Sequence, residues 1–218
     1  MLTLFIDSSK SDLSVVLILD EKIVYQSNVN SCSKHSNFLM NEIVKIFEST
    51  YFDIKDLNNI VILNGPGSFT GVRVGVTVAK TLSYVLNNNI YCLTTLKALS
   101  LHSSSDDTII TVVHDKNDSS YVGIYNNDVY QEGYMTIDEV ISKSFNSNIN
   151  IISMGENLFV TELSNKLSLN NNVSIKVLDN YDYIKVVNYA LKTQKVDTHM
   201  LEPIYLKKID AEKKKNDC

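Results

Sequence analysis

The turn at 64–68, Asn-Gly-Pro-Gly-Ser, has the clearest potential for chemistry in this sequence. It follows the apolar run 60–63, which is typical of a short core strand. Gly65 and Gly67 permit positive φ and Pro66 fixes the chain between them, so the strand ends sharply. Ser68 or Thr70 can then cap a helix. A helix N-terminus behind such a turn presents free backbone N–H groups and a positive dipole end, which is chemistry suited to binding an anion.

The spacing around this turn excludes the common nucleotide and catalytic motifs. A Walker loop that began at Gly67 would need Gly-Lys-Ser/Thr five positions later. That position is Val72, and Lys80 comes too late. The dinucleotide pattern would place its third glycine at Thr70. A nucleophile elbow (G-x-S-x-G) needs one residue between its serine and each of two flanking glycines, whereas Ser68 directly follows Gly67.

Metal-ligating and acid–base constellations are sparse in the sequence. The four histidines are His35, His102, His114 and His199, and no two of them are three or four residues apart. A helix-borne metal dyad of the H-E-x-x-H kind is therefore excluded. Three widely spaced cysteines without a C-x-x-C pair indicate neither a disulfide framework nor a zinc ribbon. The nearest candidate for an acid–base pair is His114 with Asp115.

Four ordered motifs across nearly the whole chain resemble the TsaB (YeaZ) family. They are Phe5-Ile6-Asp7-Ser8-Ser9, Lys34-His35-Ser36 with Leu39, GPGSFTGVRVG from Gly65, and Glu202-Pro203-Ile204-Tyr205-Leu206. The resemblance implies an α/β, actin-like (ribonuclease H-like) fold with two lobes and an N-terminal order βββαβαβ. We expect an N-terminal lobe at 1–100, a smaller α/β lobe at 101–209 and a flexible tail at 210–218.

In function, the resemblance implies a non-catalytic scaffold subunit of the complex that installs threonylcarbamoyl on the adenosine next to the anticodon of tRNA. The expected partner is TsaD, the paralogue whose helical histidine pair binds metal and which performs the transfer. TsaE and ATP or ADP are expected to join at the assembled complex, and no cofactor is expected on the chain alone. Without TsaD the chain is expected to self-associate, and tRNA contact is expected only through the complex.

The resemblance places the TsaD interface on the first two helices of the N-terminal lobe. Two adjacent helices with excess apolar surface need a partner, since a large uncovered apolar patch is unusual. The predicted interface residues are His35, Phe38, Leu39 and Ile43 on the first helix and Phe69, Val72, Arg73, Val76 and Lys80 on the second. Arg73 is the one arginine of the chain, and a solvated side chain or an ion pair are both open for it.

An alternative function is an ATP-dependent phosphotransferase of the actin-like superfamily. ATP-using relatives place an aspartate and a phosphate-binding turn where this chain has Asp7, Ser8 and Ser9. The turn contains no glycine, which a backbone wrapped around a phosphate usually needs. We therefore interpret these residues as a vestigial nucleotide turn in which Asp7 bonds the turn N–H groups.

The chain also keeps Asp115 but has Lys116 and Asn117 where the family has a pattern close to Asp-Ala-Arg.

Hydrophobic periodicity predicts the elements that hold these residues. Strand-like runs at 2–6, 13–19 and 23–26 precede a helical pattern at 35–47, then strand 60–63, a helix to about 86 and strand 90–93. The segment 72–86 is ambiguous, because Val72, Val74, Val76 and Val78 also alternate as in a strand. If it is a helix, Gly71 and Gly75 form a bare stripe that could receive another helix. The second half predicts strands at 109–113, 121–125, 149–153 and 173–178 and helices at 137–145, 159–167 and 183–193, which is an α/β lobe of related topology.

Composition sets further bounds. The chain has 218 residues, 44% hydrophobic content and a net charge of −5, so it can bury a core and has no global attraction for a polyanion. No apolar run approaches the roughly 20 residues of a membrane helix, and we expect a cytoplasmic protein with no membrane partner. The lysines near the C-terminus indicate either a solvated tail or a contact with tRNA or a partner.

Overall fold

The computed structural model describes residues 1–30, 35–103, 107–126, 130–143, 145 and 148–207, and only the backbone of residues 30 and 35–37. The chain divides into two compact units. The first unit consists of Met1–Ala98 and Tyr181–Ile204, and the second contains Leu99–Asn180 and, among the described residues, 205–207. The predicted lobe boundary differs in one segment, since 181–204 packs with the first unit.

The first unit is built on a five-stranded sheet. In chain order its elements are β1 (Leu2–Asp7), β2 (Asp12–Leu19), β3 (Lys22–Asn30), α1 (His35–Glu48), a 3-10 turn (Ile54–Asp56), β4 (Leu57–Leu63), α2 (Phe69–Leu86) and β5 (Asn89–Leu93). The strand order is β3-β2-β1-β4-β5. The first three strands are antiparallel, and β4 and β5 join in parallel. The predicted order βββαβαβ is confirmed, and with it the actin-like fold.

The second unit repeats this topology. Helix α3 (Thr95–Ser100) leads out of the first unit, and the elements that follow are β6 (Thr108–Val113), β7 (Ser119–Tyr125), β8 (Tyr130–Thr136), α4 (Ile137–Ile141), β9 (Ile149–Met154), α5 (Leu158–Leu167) and β10 (Val173–Leu178). The strand order β10-β9-β6-β7-β8 is that of the first sheet, read from the other edge. Helix α6 (Tyr183–Leu191) then packs on β4 and β5 of the first unit.

Helices cover both faces of the first sheet, which explains why every residue of β1 is buried. On one face, Leu4 and Ile6 pack in a core with apolar side chains of α1 and α2. On the other face, the ring of Phe5 lies 5.3 Å from that of Tyr183 on α6. A strand covered on both sides is a near-continuous apolar run, as the sequence of β1 is.

The ambiguous segment 72–86 is helical. Ser68 caps it, because its side chain accepts a hydrogen bond from the backbone N–H of Gly71. Val72, Val76 and Ala79 are buried at helical spacing. In the part of the chain that the structure describes, no helix combines the length and the apolarity needed to cross a membrane.

Candidate partner-binding helices and the glycine turn

The turn after β1 is closed on itself. Oδ1 of Asp7 accepts hydrogen bonds from the backbone N–H of Ser9 at 2.8 Å and from its hydroxyl at 2.6 Å. Asp7, Ser8 and Ser9 are all buried. The ammonium of Lys10 lies 3.6 Å from Oδ2 of Asp7. The Asx-type arrangement expected from the sequence is therefore present at Oδ1, whereas the buried Oδ2 has no hydrogen-bond partner among the described residues.

The glycine turn and the start of α2 pack directly on this closed turn. The backbone N–H of Ser68 donates to the carbonyl of Ser9 at 2.6 Å. The hydroxyl of Ser8 donates to the carbonyl of Gly71 at 2.8 Å, and that of Thr95 donates to Oγ of Ser9 at 3.2 Å. The backbone N–H of Ser68 and the hydroxyls of Ser8, Ser9 and Thr95 thus already have partners in the chain.

Three glycines make this close packing possible. A Cβ at Gly67 or Gly71 would come closer than 3.0 Å to the carbonyl oxygen of Ser9 or Ser8, and a Cβ at Gly75 would come that close to the Ser8 hydroxyl. The bare stripe formed by Gly71 and Gly75 therefore receives the turn after β1. The sequence-based expectation that it could receive another helix is wrong.

The C-terminal motif and the glycine motif meet, although they are far apart in sequence. The side-chain amide of Asn64 donates to the carbonyl of Glu202 at 3.0 Å, and the backbone N–H of Ile204 donates to the carbonyl of Asn64 at 2.8 Å. Gly65 adopts φ +102° beside them, a conformation that other residues rarely adopt. Leu201 is buried in the core of the first unit. The segment 196–204 thus forms a strap over this end of the sheet.

Lys80, predicted to lie at the interface, holds this strap. Its ammonium donates to the carbonyls of His199 and Leu201, both at 3.1 Å. These two hydrogen bonds give Lys80 a structural role and engage its ammonium within the chain.

Four other predicted interface residues lie in the core of the first unit. Leu39, Ile43, Val72 and Val76 are at most 3% exposed and pack against the sheet of the first unit. This burial corrects the prediction that these four residues contact a partner. They form the faces with which α1 and α2 pack on their own sheet. Phe38 is half-buried against the same core. His35 begins α1, but its side chain lies outside the described residues.

The outward sides of the two helices carry other apolar side chains. We call the following five the exposed helix surface: Met40 (43% exposed), Val44 (48%), Phe69 (53%), Tyr84 (69%) and Val85 (71%). The guanidinium of Arg73 stacks on the ring of Phe69, 3.7 Å from its centroid. The sequence analysis named Phe69 and Arg73 as interface residues and did not name Met40, Val44, Tyr84 or Val85. Met40 and Val44 follow the buried stripe by one residue, and that second stripe was the available signal.

One buried carboxylate supports α1. Glu42 accepts hydrogen bonds from the hydroxyl of Ser27 at 2.5 Å and from the ammonium of Lys45 at 2.6 Å. Burial acts to raise the pKa of Glu42, but these two hydrogen bonds outweigh it and hold the pKa below its ordinary value of 4.5. Glu42 therefore stays ionised at neutral pH and ties α1 to β3.

The candidate acid–base pair is not assembled as such. His114 is exposed, and Asp115 accepts hydrogen bonds from Tyr134 and Lys207. Over the ranges that the structure describes, no three His, Cys, Asp or Glu residues are grouped so that they could hold a metal ion.

Comparisons with known proteins agree on one family. The family model described as "TsaD: tRNA N6-adenosine threonylcarbamoyltransferase" matches residues 29–213. The tRNA threonylcarbamoyladenosine biosynthesis protein TsaB of Bacillus subtilis (strain 168) is 31% identical over 126 residues, which are 57% of this chain and 55% of that protein. The tRNA N6-adenosine threonylcarbamoyltransferase of Brachyspira hyodysenteriae (strain ATCC 49526 / WA1) is 25% identical over 176 residues, 66% of this chain and 52% of that protein.

The chain thus spans about half the length of the curated relatives it matches. The match in three dimensions is more extensive. The structure of YeaZ from Pseudomonas aeruginosa superimposes with a TM-score of 0.71 and 16% sequence identity, covering 94% of this chain and 99% of that one. At this identity the superposition shows a shared fold.

Proposed function

The chain belongs to the TsaD family defined by that model and, within it, to the TsaB (YeaZ) group, and we propose that it is a non-catalytic scaffold in tRNA threonylcarbamoyladenosine synthesis. In this role it binds and activates TsaD, the subunit that transfers the threonylcarbamoyl group. TsaE joins the same assembly, and tRNA is reached only through the complex. A net charge of −5 supports the last point, because a chain of this charge does not attract a polyanion by itself.

The exposed helix surface is the observation that carries the proposal. Five large apolar side chains on two helices are between 43% and 71% exposed, of which Phe69 contacts Arg73 and Tyr84 contacts His199, whereas the opposite sides of these helices are buried in the core of the first unit. Apolar and aromatic side chains next to an arginine are the usual composition of the energetic centre of an interface. We propose that TsaD covers this surface, and that a second copy of the chain covers it when TsaD is absent.

The closed turn after β1 supports the non-catalytic part of the proposal. The actin-like fold implies a nucleotide, but Oδ1 of Asp7 and the hydroxyls of Ser8 and Ser9 already bond within the chain, and among the described residues only the buried Oδ2 of Asp7 is left without a hydrogen-bond partner at this turn. Asp7 is bonded to Ser9 and faced by Lys10, and the carbonyl of Ser9 is taken by the N–H of Ser68. We therefore propose that the chain alone holds no nucleotide and that ATP or ADP joins only at the assembled complex. The same packing argues against the alternative of an ATP-dependent phosphotransferase.

Sedimentation of the chain with TsaD of the same organism tests this proposal. Phe69→Asp is the main variant, and Leu158→Asp is its matched control, since each residue begins a helix, is more than half exposed and lies on a different unit. A second variant, Val44→Asp, places a charge on α1. Truncation of a central interface residue costs about 2–4 kcal/mol, which is on the order of a 30- to 1,000-fold loss of affinity.

We expect the unaltered chain and Leu158→Asp to sediment with TsaD, and Phe69→Asp and Val44→Asp to remain separate. When labelled ATP and Mg²⁺ are added to the same sedimentation samples, ATP is expected to sediment with the complex and not with the isolated chain. Equal complex formation by all four proteins would refute the placement of the interface. Absence of any complex with the unaltered chain would refute the scaffold function itself.

A further inference from the structure

A cluster of polar and aromatic groups on the second unit surrounds the side chain of Lys207. The ammonium of Lys207 donates to Oδ2 of Asp115 at 2.6 Å, and the hydroxyl of Tyr134 donates to the same oxygen at 2.7 Å. The ammonium also lies 4.7 Å from the centre of the Tyr134 ring. A single cation is thus bound by a carboxylate and by the face of an aromatic ring.

Strands of the second sheet hold these groups in place. Asp115 lies in the connection between β6 and β7, which is closed by a hydrogen bond from the backbone N–H of Lys116 to the carbonyl of Ser119 at 3.1 Å. The hydroxyl of Ser119 donates to the hydroxyl of Tyr134 at 3.0 Å. Tyr121 pairs with Tyr134 across β7 and β8, with ring centres 5.1 Å apart in an edge-on arrangement. None of these contacts involves Lys207, so the site is formed by the sheet itself.

The electrostatics of the cluster favour a bound cation. The hydrogen bond to Asp115 raises the pKa of Lys207 above its ordinary value. Burial acts to raise the pKa of Asp115, but the hydrogen bonds from Lys207 and Tyr134 outweigh it and hold the pKa below 3.8. Both partners are therefore charged at neutral pH. An isolated surface ion pair contributes little, whereas a pair with an added hydrogen bond and a ring face is geometrically fixed.

We infer that Asp115 and Tyr134, with Tyr121 packed edge-on against Tyr134, form an ammonium-binding site whose ligand is the lysine side chain at 207, and that this site fastens the chain at Lys207 to the second unit. The chemistry recognised is a primary ammonium on a flexible stem. In the sequence Lys208 and Lys213–Lys215 follow. This inference does not depend on the proposed function.

Limited digestion of the full chain with trypsin tests the inference. Trypsin must take the Lys207 side chain into its own binding pocket, so cleavage between 207 and 208 reports release from Asp115. Products ending at Lys207 are separated by mass from those ending at Lys208. The main variant is Asp115→Asn. The matched control is Asp118→Asn, which removes one negative charge from an exposed position of the same turn.

We expect cleavage after Lys207 to be about tenfold faster in Asp115→Asn and unchanged in Asp118→Asn. About 1 M salt, which shortens the screening length to about 3 Å, is expected to speed cleavage of the unaltered chain and to have little effect on Asp115→Asn. Tyr134→Phe keeps the ring and loses the hydrogen bonds to Asp115 and from Ser119, so it gives an intermediate rate. If Asp115→Asn does not fold and is cleaved at many sites, the rate of cleavage after Lys207 in Tyr134→Phe tests the inference instead. Equal rates after Lys207 in Tyr134→Phe, Asp118→Asn and the unaltered chain would overturn the inference.

Discussion

Adding one methyl group at Gly71 is expected to separate α2 from the turn after β1. The new Cβ would overlap the backbone carbonyl oxygen of Ser8, which cannot move by rotating a side chain. Overpacking costs about 1–3 kcal/mol, and contact with fixed backbone belongs at the upper end of this range. Alanine in a helix interior returns about 1 kcal/mol relative to glycine. The net expectation for Gly71→Ala is a loss of about 2 kcal/mol in the free energy of unfolding.

Thermal unfolding followed by circular dichroism measures this loss. For a chain of this length, about 2 kcal/mol corresponds to a fall in Tm of roughly 4–8 °C. Thr77→Ala is the control, because Thr77 is exposed on the same helix and its replacement only improves helix propensity. A Tm for Gly71→Ala at or above that of the unaltered chain would refute the reasoning.

Gly75 offers an internal comparison, because the atom in its way is the Ser8 hydroxyl and not backbone. Gly75→Ala is expected to cost about 1 kcal/mol in the unaltered chain, within the range for overpacking. In a Ser8→Ala background the nearest atoms are Cδ1 of Ile62 at 3.3 Å and Cβ of residue 8 at 3.4 Å, so most of the cost should disappear. If the effects of Gly75→Ala and Ser8→Ala on the free energy of unfolding simply add, the close contact between residues 75 and 8 does not limit stability.

The remaining predictions concern two charged side chains of the first unit. Lys80→Met removes two hydrogen bonds from the strap and is expected to cost about 1–2 kcal/mol, whereas Lys22→Met at an exposed position of β3 should cost less than about 0.5 kcal/mol. Equal effects would show that the strap does not depend on Lys80. Because the pKa of Glu42 is held below 4.5 in the folded chain, its contribution to stability is present above that pH and is lost as the pH falls. The Tm difference between the unaltered chain and Glu42→Gln should therefore shrink in acid, and a constant difference from pH 7 to about pH 3 would contradict this.

The sequence predicts helices α1 and α2 better than it predicts which of their apolar residues are exposed. Periodicity identifies the strongest apolar stripe of a helix, and in α1 that stripe contains Leu39 and Ile43, which the chain buries in its own core. The weaker stripe next to it, with Met40 and Val44, is the one left exposed. Which of two apolar stripes faces the sheet depends on the tertiary packing, so the sequence alone could not decide it.

The fold was predictable because local signals and topology agree in most elements. The glycine turn, the cap at Ser68 and the buried run of β4 all indicate the same strand–turn–helix unit. Two elements were missed, α3 and β8. Strand β8 reads YQEGYMT, in which Gly133 and three polar residues hide the alternation. Helix α6 was found, but its packing on the first sheet was not, because periodicity does not reveal which sheet a helix covers.

The turn after β1 shows where sequence reasoning left two interpretations open. Asp7 followed by two serines suits both a phosphate-binding turn and an Asx-type turn. The hydrogen bonds from Ser9 to Asp7 favour the second. The close approach of Gly71 to Ser8 explains the glycine spacing without any ligand. A sequence cannot distinguish a glycine required by a ligand from one required by neighbouring backbone.

The most direct test is the amount of threonylcarbamoyladenosine formed in tRNA by TsaD, TsaE and this chain in a purified reaction supplied with an activated threonylcarbamoyl donor and ATP. At equal amounts of folded protein, we expect the unaltered chain and Asp7→Asn to support modification equally and Phe69→Asp to support little. Undiminished modification with Phe69→Asp, or without the chain, would contradict the scaffold role. Loss of modification with a folded, TsaD-bound Asp7→Asn would contradict the claim that the chain performs no chemistry.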